Sequence, residues 1–132
     1  MDNKDPEKSL AEAEDVLAML IRLHGPDSEQ AVVGRGEVAR RLESLNRFAE
    51  ARLLREDLLA ANRRNLGNDH IYTLGAEANL AMNLIHDGIR REALPLLQHV
   101  RDVRLATLGP EDKDTTWVSS WVDGLSKEFG GE

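Results

Sequence analysis

The sequence predicts an all-α protein, a right-handed α-solenoid built from about six helices in antiparallel pairs. Three observations predict this class: a turn motif that recurs every 42 residues, apolar residues spaced with the helical period, and no stretch with the alternating pattern of a strand. The composition agrees, because 41% of the 132 residues are hydrophobic and only 4% are aromatic. Helix pairs stacked at a fixed step share a core and leave a concave face.

The repeat is visible in its turns. The motifs HGPD, LGND and LGPE centre on Gly25, Gly67 and Gly109, which are 42 residues apart. A weaker break falls between successive turns, at Asn46 and Gly88, and both residue types tolerate the left-handed backbone that ends a helix. Each repeat is therefore predicted to be a pair of helices.

The first three helices are predicted at residues 6–23, 29–44 and 48–65. The first begins after Asp5, an N-cap acceptor, with a proline in its first turn. The second begins at Asp27, which has Gln30 three residues later, the spacing of a capping box. The third follows the break at Asn46 and carries apolar residues with the helical period: Ala51, Leu54, Leu58 and Ala61.

The last three helices are predicted at residues 71–86, 90–107 and 113–129, each after a turn or break of the repeat. Their apolar residues keep the same period: Leu80, Leu84 and Ile85, then Leu96, Val100 and Val103, then Val118, Val122, Leu125 and Phe129. Small residues recur where paired helices must cross closely: Ala39 and Ala81 in the first helix of a pair, Ala51 and Ala93 in the second.

The repeat defines the expected domain organisation. Residues 1–132 are predicted to form one domain with these parts: a half repeat at 6–23, repeats at 24–65 and 66–107, and a half repeat at 108–129. The length suits a single domain that folds on its own core.

Charge, cysteine content and hydropathy argue against several classes. A net charge of −7 repels nucleic acid and anionic membranes, and a chain without cysteine has no disulfide or thiolate metal site. No apolar run approaches the ~18 residues of a membrane span, and the polar N-terminus does not resemble a signal peptide. We therefore expect a cytoplasmic protein with no cofactor and no nucleic-acid or membrane partner.

The most specific motifs lie in and after the second full repeat. Residues 66–74 read LGNDHIYTL, residues 79–81 read NLA, residues 92–97 read EALPLL and residues 108–112 read LGPED. These motifs resemble the 42-residue tetratricopeptide repeats of kinesin light chains and their bacterial relatives, and the excess of arginine over lysine suits a bacterial source. The resemblance is close over residues 66–116 and looser over 24–65. Ile71 stands where the family has proline, and Glu37 where it has the asparagine matched by Asn79.

The resemblance implies a protein-interaction scaffold without enzyme activity, in which the first helix of each pair lines a concave groove for an extended peptide. The candidate partner-binding residues on that face are Val33, Glu37, Arg40, Asn79, Met82, His86, Trp117 and Trp121. Asn79 is the strongest, because an amide donates and accepts hydrogen bonds and can read a peptide backbone. The alternatives are that Asn79 bonds a neighbouring helix, and that Glu37 and Arg40 belong to a solvated charged surface.

Trp117 and Trp121 lie one turn apart on the last helix, and three interpretations are open: an end of the peptide groove, a self-association surface, or core packing. By register, residues 6–23 correspond to the second helix of a pair and residues 113–129 to the first, so each is half of a hairpin. The alternative function is therefore a self-assembling, homodimeric structural or regulatory module.

The histidines form no metal-binding or catalytic pattern. His99 and Asp102 are three residues apart on one helix, but two ligands are too few for a metal site. His70 matches the turn histidine of the family, which helps to fix the corner between repeats. The chain carries no phosphate-binding loop and no recognisable Ser-His-Asp arrangement, so no enzyme activity is expected.

Overall fold

The computed structural model describes residues 5–130, and these residues form six α-helices and no strand. The helices are α1 (Pro6–His24), α2 (Glu29–Ser44), α3 (Phe48–Leu66), α4 (Ile71–His86), α5 (Arg90–Leu108) and α6 (Lys113–Phe129). Each predicted helix is present, and its ends lie within one residue of the expected ones. The all-α prediction is confirmed.

The first helix of each pair begins with an N-cap at the same register position. Ser28 Oγ accepts a hydrogen bond from the Ala31 N–H at 3.1 Å, and His70 Nδ1 accepts one from the Tyr72 N–H at 3.0 Å. Asp112 Oδ1 accepts one from the Asp114 N–H at 2.9 Å. The N-cap expected at Asp27 is wrong by one residue, because the hydroxyl of Ser28 supplies the capping acceptor.

The turns and breaks of the repeat adopt the backbone that the sequence predicts. Gly25, Gly67 and Gly109 have φ values of 94°, 95° and 86°, a region where a side chain would clash with the backbone. Asn46 and Gly88, at the weaker breaks, have φ values of 61° and 81°. These five residues with positive φ lie half a repeat apart, which confirms that a helix ends at every half repeat.

The chain divides into two compact units, one ending at Asn65 and the other beginning at Leu66. In unit 1, residues 5–65 of the described chain, α1, α2 and α3 share a core of Leu10, Val38, Ala39, Leu42 and Ala51. Gly34 of α2 faces α1, because a Cβ at Gly34 would lie 3.1 Å from side-chain atoms of Leu17 and Leu20. The glycine therefore permits a close approach of the two helices.

Unit 2, residues 66–130 of the described chain, contains α4, α5 and α6. Ten residues of α4 are buried, and Ala81 on α4 and Ala93 on α5 are fully buried, as the small-residue pattern predicts. Thr115 of α6 is also buried, and its Oγ1 donates to the Arg104 carbonyl of α5 at 3.3 Å. The boundary between the units coincides with the start of the second full repeat, and the single-domain organisation stays a prediction.

The hydropathy of the helices bears on membrane spanning. Within residues 5–130, none of the helices combines the length and apolar character that crossing a bilayer requires.

Candidate partner-binding surfaces

The candidate residues of unit 1 share one exposed face of α2. Val33 is 68% exposed, Arg40 is exposed and Glu37 is half-buried. The Glu37 carboxylate lies between two arginines of its own helix, 2.8 Å from Arg40 and 2.6 Å from Arg41. The structure thus joins Glu37 and Arg40 as an ion pair beside an exposed valine, which offers a partner both charge and a small apolar contact.

A shallow cleft of about 190 Å³ adjoins this face. The residues that line it are Ser9, Glu12, Ala13 and Val16 of α1 and Gly34, Glu37 and Arg41 of α2. Sequence analysis missed the cleft, although the repeat register signals it. The four residues from α1 stand 42 positions before Ala51, Leu54, Arg55 and Leu58 of α3. In α3 and α5 the first of these positions is a buried alanine, whereas in α1 it is a half-buried serine.

The candidate residues of α4 also share one face, with a spacing of three and four residues. Asn79 and His86 are exposed and Met82 is half-buried. A different asparagine, Asn83, is the buried one of this helix. The amide of Asn79 is therefore directed to solvent, where a peptide backbone could reach it.

The two tryptophans lie on α6, which buries a stripe of other residues. Val118, Val122 and Leu125 are buried, whereas Trp117 is 41% exposed and Trp121 is half-buried. None of the eight candidate side chains is buried. The three interpretations of the tryptophans, which are a groove end, a self-association surface and core packing, stay predictions.

A polar cluster that sequence analysis did not find surrounds His99 of α5. Its Nδ1 lies 2.6 Å from Glu77 Oε1, on α4, and its Nε2 lies 3.0 Å from Asp69 Oδ1, in the turn before α4. Glu77 is only 3% exposed, so its carboxylate benefits from a charged partner. The hydrogen bond to Glu77, helped by the nearby Asp69, raises the pKa of His99 above its ordinary value despite partial burial.

The register contained a signal for this cluster. The positions equivalent to Glu77 and His99 in unit 1 are Arg35 and Asp57, so the order of the charges is reversed. Asp102, the residue that sequence spacing placed beside His99, instead lies 3.9 Å from Arg101. The two carboxylates at His99 face opposite ring nitrogens and do not converge on one point. Within the described residues, no three His, Asp or Glu side chains are arranged to hold a metal ion.

Comparison with known proteins identifies the fold. No family model matches the chain, and no curated protein shows significant sequence similarity to it. Among solved structures, it is similar to a Podosopora anserina protein described as a kinesin light chain with nearly identical TPR-like repeats, with a TM-score of 0.86 and 21% identity. A point variant of that protein gives a TM-score of 0.85 at the same identity.

Both matches cover 95% of this chain and 59% of the matched chain, so this chain spans only part of the length of these structural neighbours. At this identity the likeness concerns the fold. It agrees with the 42-residue register of caps and turns, which the structure shows independently. The resemblance to tetratricopeptide (TPR) repeats is thereby confirmed in three dimensions: the chain has the TPR-like repeat fold.

Proposed function

We propose that this chain is a protein-interaction adaptor that binds a peptide or partner protein through the exposed first-helix surfaces of its repeats. TPR-like folds commonly mediate protein–protein interaction. The observation that carries the proposal is the exposure of the candidate residues: a fold that buries its apolar register positions leaves all eight of these side chains at least partly exposed. The proposal includes the concave peptide groove, a non-catalytic role and a cytoplasmic location.

The chemistry of the exposed residues indicates how a peptide could be held. Asn79 offers both a donor and an acceptor to a backbone, and Met82 beside it can adapt to different side chains. Trp117 and Trp121 offer large apolar surfaces of the kind that dominates binding energy at interfaces. Residues 67–132 carry eleven acidic and six basic side chains, so this part of the chain favours a basic or mixed-charge segment.

The test is a selection of binding peptides from a displayed library, followed by affinity measurement on variants. Asn79→Ala and Trp121→Ala should each weaken binding of a selected peptide by about fivefold or more, since interface anchors contribute over ~1 kcal/mol when truncated. Gln98→Ala is the matched control, because Gln98 is exposed on α5, outside the proposed surface. Circular dichroism should show equal helicity in all variants.

Unchanged affinity in both Asn79→Ala and Trp121→Ala, with folding intact, would contradict the proposed surface. An equal loss in Gln98→Ala would also contradict it, because binding would then not depend on the first-helix face.

A second candidate function, self-association, is favoured by the exposed apolar stripe on α1. Val16, Met19 and Leu23 are exposed large hydrophobic residues on one side of this helix. On α6, by contrast, Asp123 stands at the register position of the buried Ala39 and Ala81. Self-association through α1 therefore fits the structure better than pairing through the corresponding face of α6, since that pairing would bury a carboxylate.

Light scattering over a range of protein concentrations tests this second function. A concentration-dependent dimer that is lost in Met19→Lys and kept in Ala18→Lys would support it, because Ala18 is exposed away from the stripe. A monomer at every concentration would dismiss it.

A further inference from the structure

His99 stands between a buried carboxylate and an exposed one in unit 2. Glu77 on α4 approaches its Nδ1, and Asp69 in the turn before α4 approaches its Nε2. A neutral imidazole has one N–H and one lone pair, so it can donate to only one of these carboxylates and turns its lone pair toward the other. Only the imidazolium donates to both. We propose that His99 is a proton-dependent clamp that holds α4 and the turn before it against α5.

This clamp goes beyond the proposed function, because it concerns how unit 2 holds together and not what it binds. Its consequence for binding is indirect: Glu77 lies on the same helix as Asn79, Met82 and His86. A proton taken up at His99 therefore fixes the helix that presents these residues.

The charged groups facing the clamp from α4 and its turn are few. Glu77 is the only carboxylate of α4, and Asp69 is the only one in the turn at residues 67–70. His70 in the same turn is titratable too, and its Nδ1 accepts the Tyr72 N–H that caps α4. The experiment must therefore separate His70 from the clamp.

The charged groups of α5 and α6 are placed differently. On α5, Glu92 and Asp102 lie on the same side as His99 by helical spacing, and both are exposed. The carboxylates of α6 engage arginines on the opposite side of α5: Glu128 lies 3.0 Å from Arg90, and Asp123 lies 3.9 Å from Arg101. Lys113, Asp114 and Lys127 complete the charged residues of α6, all of them exposed. The contacts that depend on the His99 proton are therefore those to Glu77 and Asp69.

The direction of the pH effect follows from the raised pKa of His99, whose largest cause is the hydrogen bond to Glu77. A group whose pKa is higher in the folded than in the unfolded state stabilises the fold fully below its unfolded pKa, about 6.5. That stabilisation is lost as the pH rises through the folded pKa of His99. His99 thus donates to both carboxylates at mildly acidic pH, and it donates to only one of them at alkaline pH.

The experiment compares thermal unfolding of four full-length proteins at about pH 5.5 and about pH 8.5, on either side of ordinary histidine titration. The proteins are the wild type, His99→Gln, His24→Gln as a control with an exposed histidine of unit 1, and His70→Ser, which substitutes the cap found at Ser28. The clamp predicts that His99→Gln loses most of the stabilisation that acid gives the wild type. His24→Gln and His70→Ser should both keep it.

An NMR titration of the ring protons gives a second readout that does not depend on His99→Gln folding. In the wild type, His99 should titrate above 6.5, and Asp69→Asn, a change at an exposed side chain, should lower its pKa. A wild-type His99 that titrates at or below 6.5 overturns the clamp. Two further results would do the same: an acid stabilisation that persists in folded His99→Gln, or a His99 pKa that Asp69→Asn leaves unchanged.

Discussion

Units 1 and 2 follow one 42-residue plan but place their internal charges at different positions. In unit 1, Arg55 of α3 donates to Glu43 of α2 through two hydrogen bonds of 3.1 and 2.7 Å, and the two side chains are only 11% and 20% exposed. The equivalent positions of unit 2 hold Leu97 and Ile85, both buried. The same helix crossing is therefore held by an ion pair in one unit and by apolar side chains in the other.

A second difference lies at other positions of the same helices. Unit 2 places Glu77 and His99 where unit 1 has Arg35 and Asp57. The guanidinium of unit 1 stays charged at every physiological pH, whereas the imidazole of unit 2 titrates. The comparison teaches that one repeat register accommodates different contacts between helices, and that the imidazole makes the contact in unit 2 dependent on pH.

The largest effect is expected when a side chain of the apolar contact between α4 and α5 is truncated. Leu97 is fully buried, so Leu97→Ala should lower the free energy of unfolding by about 2–5 kcal/mol through lost transfer energy and a cavity. Arg55→Ala at the equivalent position of unit 1 should cost less, about 1–3 kcal/mol, since it leaves Glu43 without its bidentate partner. Urea unfolding of both variants measures the difference. A greater loss of unfolding free energy in Arg55→Ala than in Leu97→Ala would show that the ion pair contributes more to stability than the apolar contact.

A medium effect is expected at the helix N-caps. Ser28→Ala and His70→Ala each remove the acceptor of one backbone N–H, and each should cost about 0.5–2 kcal/mol at neutral pH. Urea unfolding of wild type and both variants at neutral pH checks this, and an unchanged free energy of unfolding in His70→Ala would contradict a capping role for the His70 ring.

The smallest effect is expected at the turn before each first helix. Asp27 in unit 1 lies 3.2 Å from Arg64, with both side chains more than half exposed, and its unit 2 equivalent Asp69 contacts His99. Arg64→Ala should change the free energy of unfolding by at most about 1 kcal/mol, and added salt should reduce the change further. A thermal melt at low and high salt measures it. A larger, salt-insensitive loss would mean that Arg64 has a structural role beyond this exposed pair.

The local features of the fold were predictable from the sequence, whereas the His99 cluster was not. Helix ends followed from Gly25, Gly67 and Gly109 because left-handed backbone is a property of single residues. His99 lies 22 residues from Glu77 and 30 from Asp69, so no local pattern connects them. Their juxtaposition arises from the packing of α4 against α5, which the helical period alone does not specify.

The candidate site also combines features that the sequence predicts with features that depend on side-chain and helix packing. The helical spacing of Asn79, Met82 and His86 correctly places them on one face, since that depends only on the geometry of α4. The ion pairs that join Glu37 to both Arg40 and Arg41 could not be derived from spacing alone, because side-chain rotamers decide between competing neighbours. The cleft beside Glu37 required the position of α1, which is a tertiary feature.

The three N-caps show how one position of the repeat keeps its backbone conformation while its residue type changes. Ser28, His70 and Asp112 adopt nearly the same backbone conformation, with φ between −71° and −64°. A hydroxyl, an imidazole and a carboxylate serve there as interchangeable acceptors. Substitution can therefore change the residue type at such a position without altering the path of the chain. Sequence similarity then decreases while the positions of the helices stay the same.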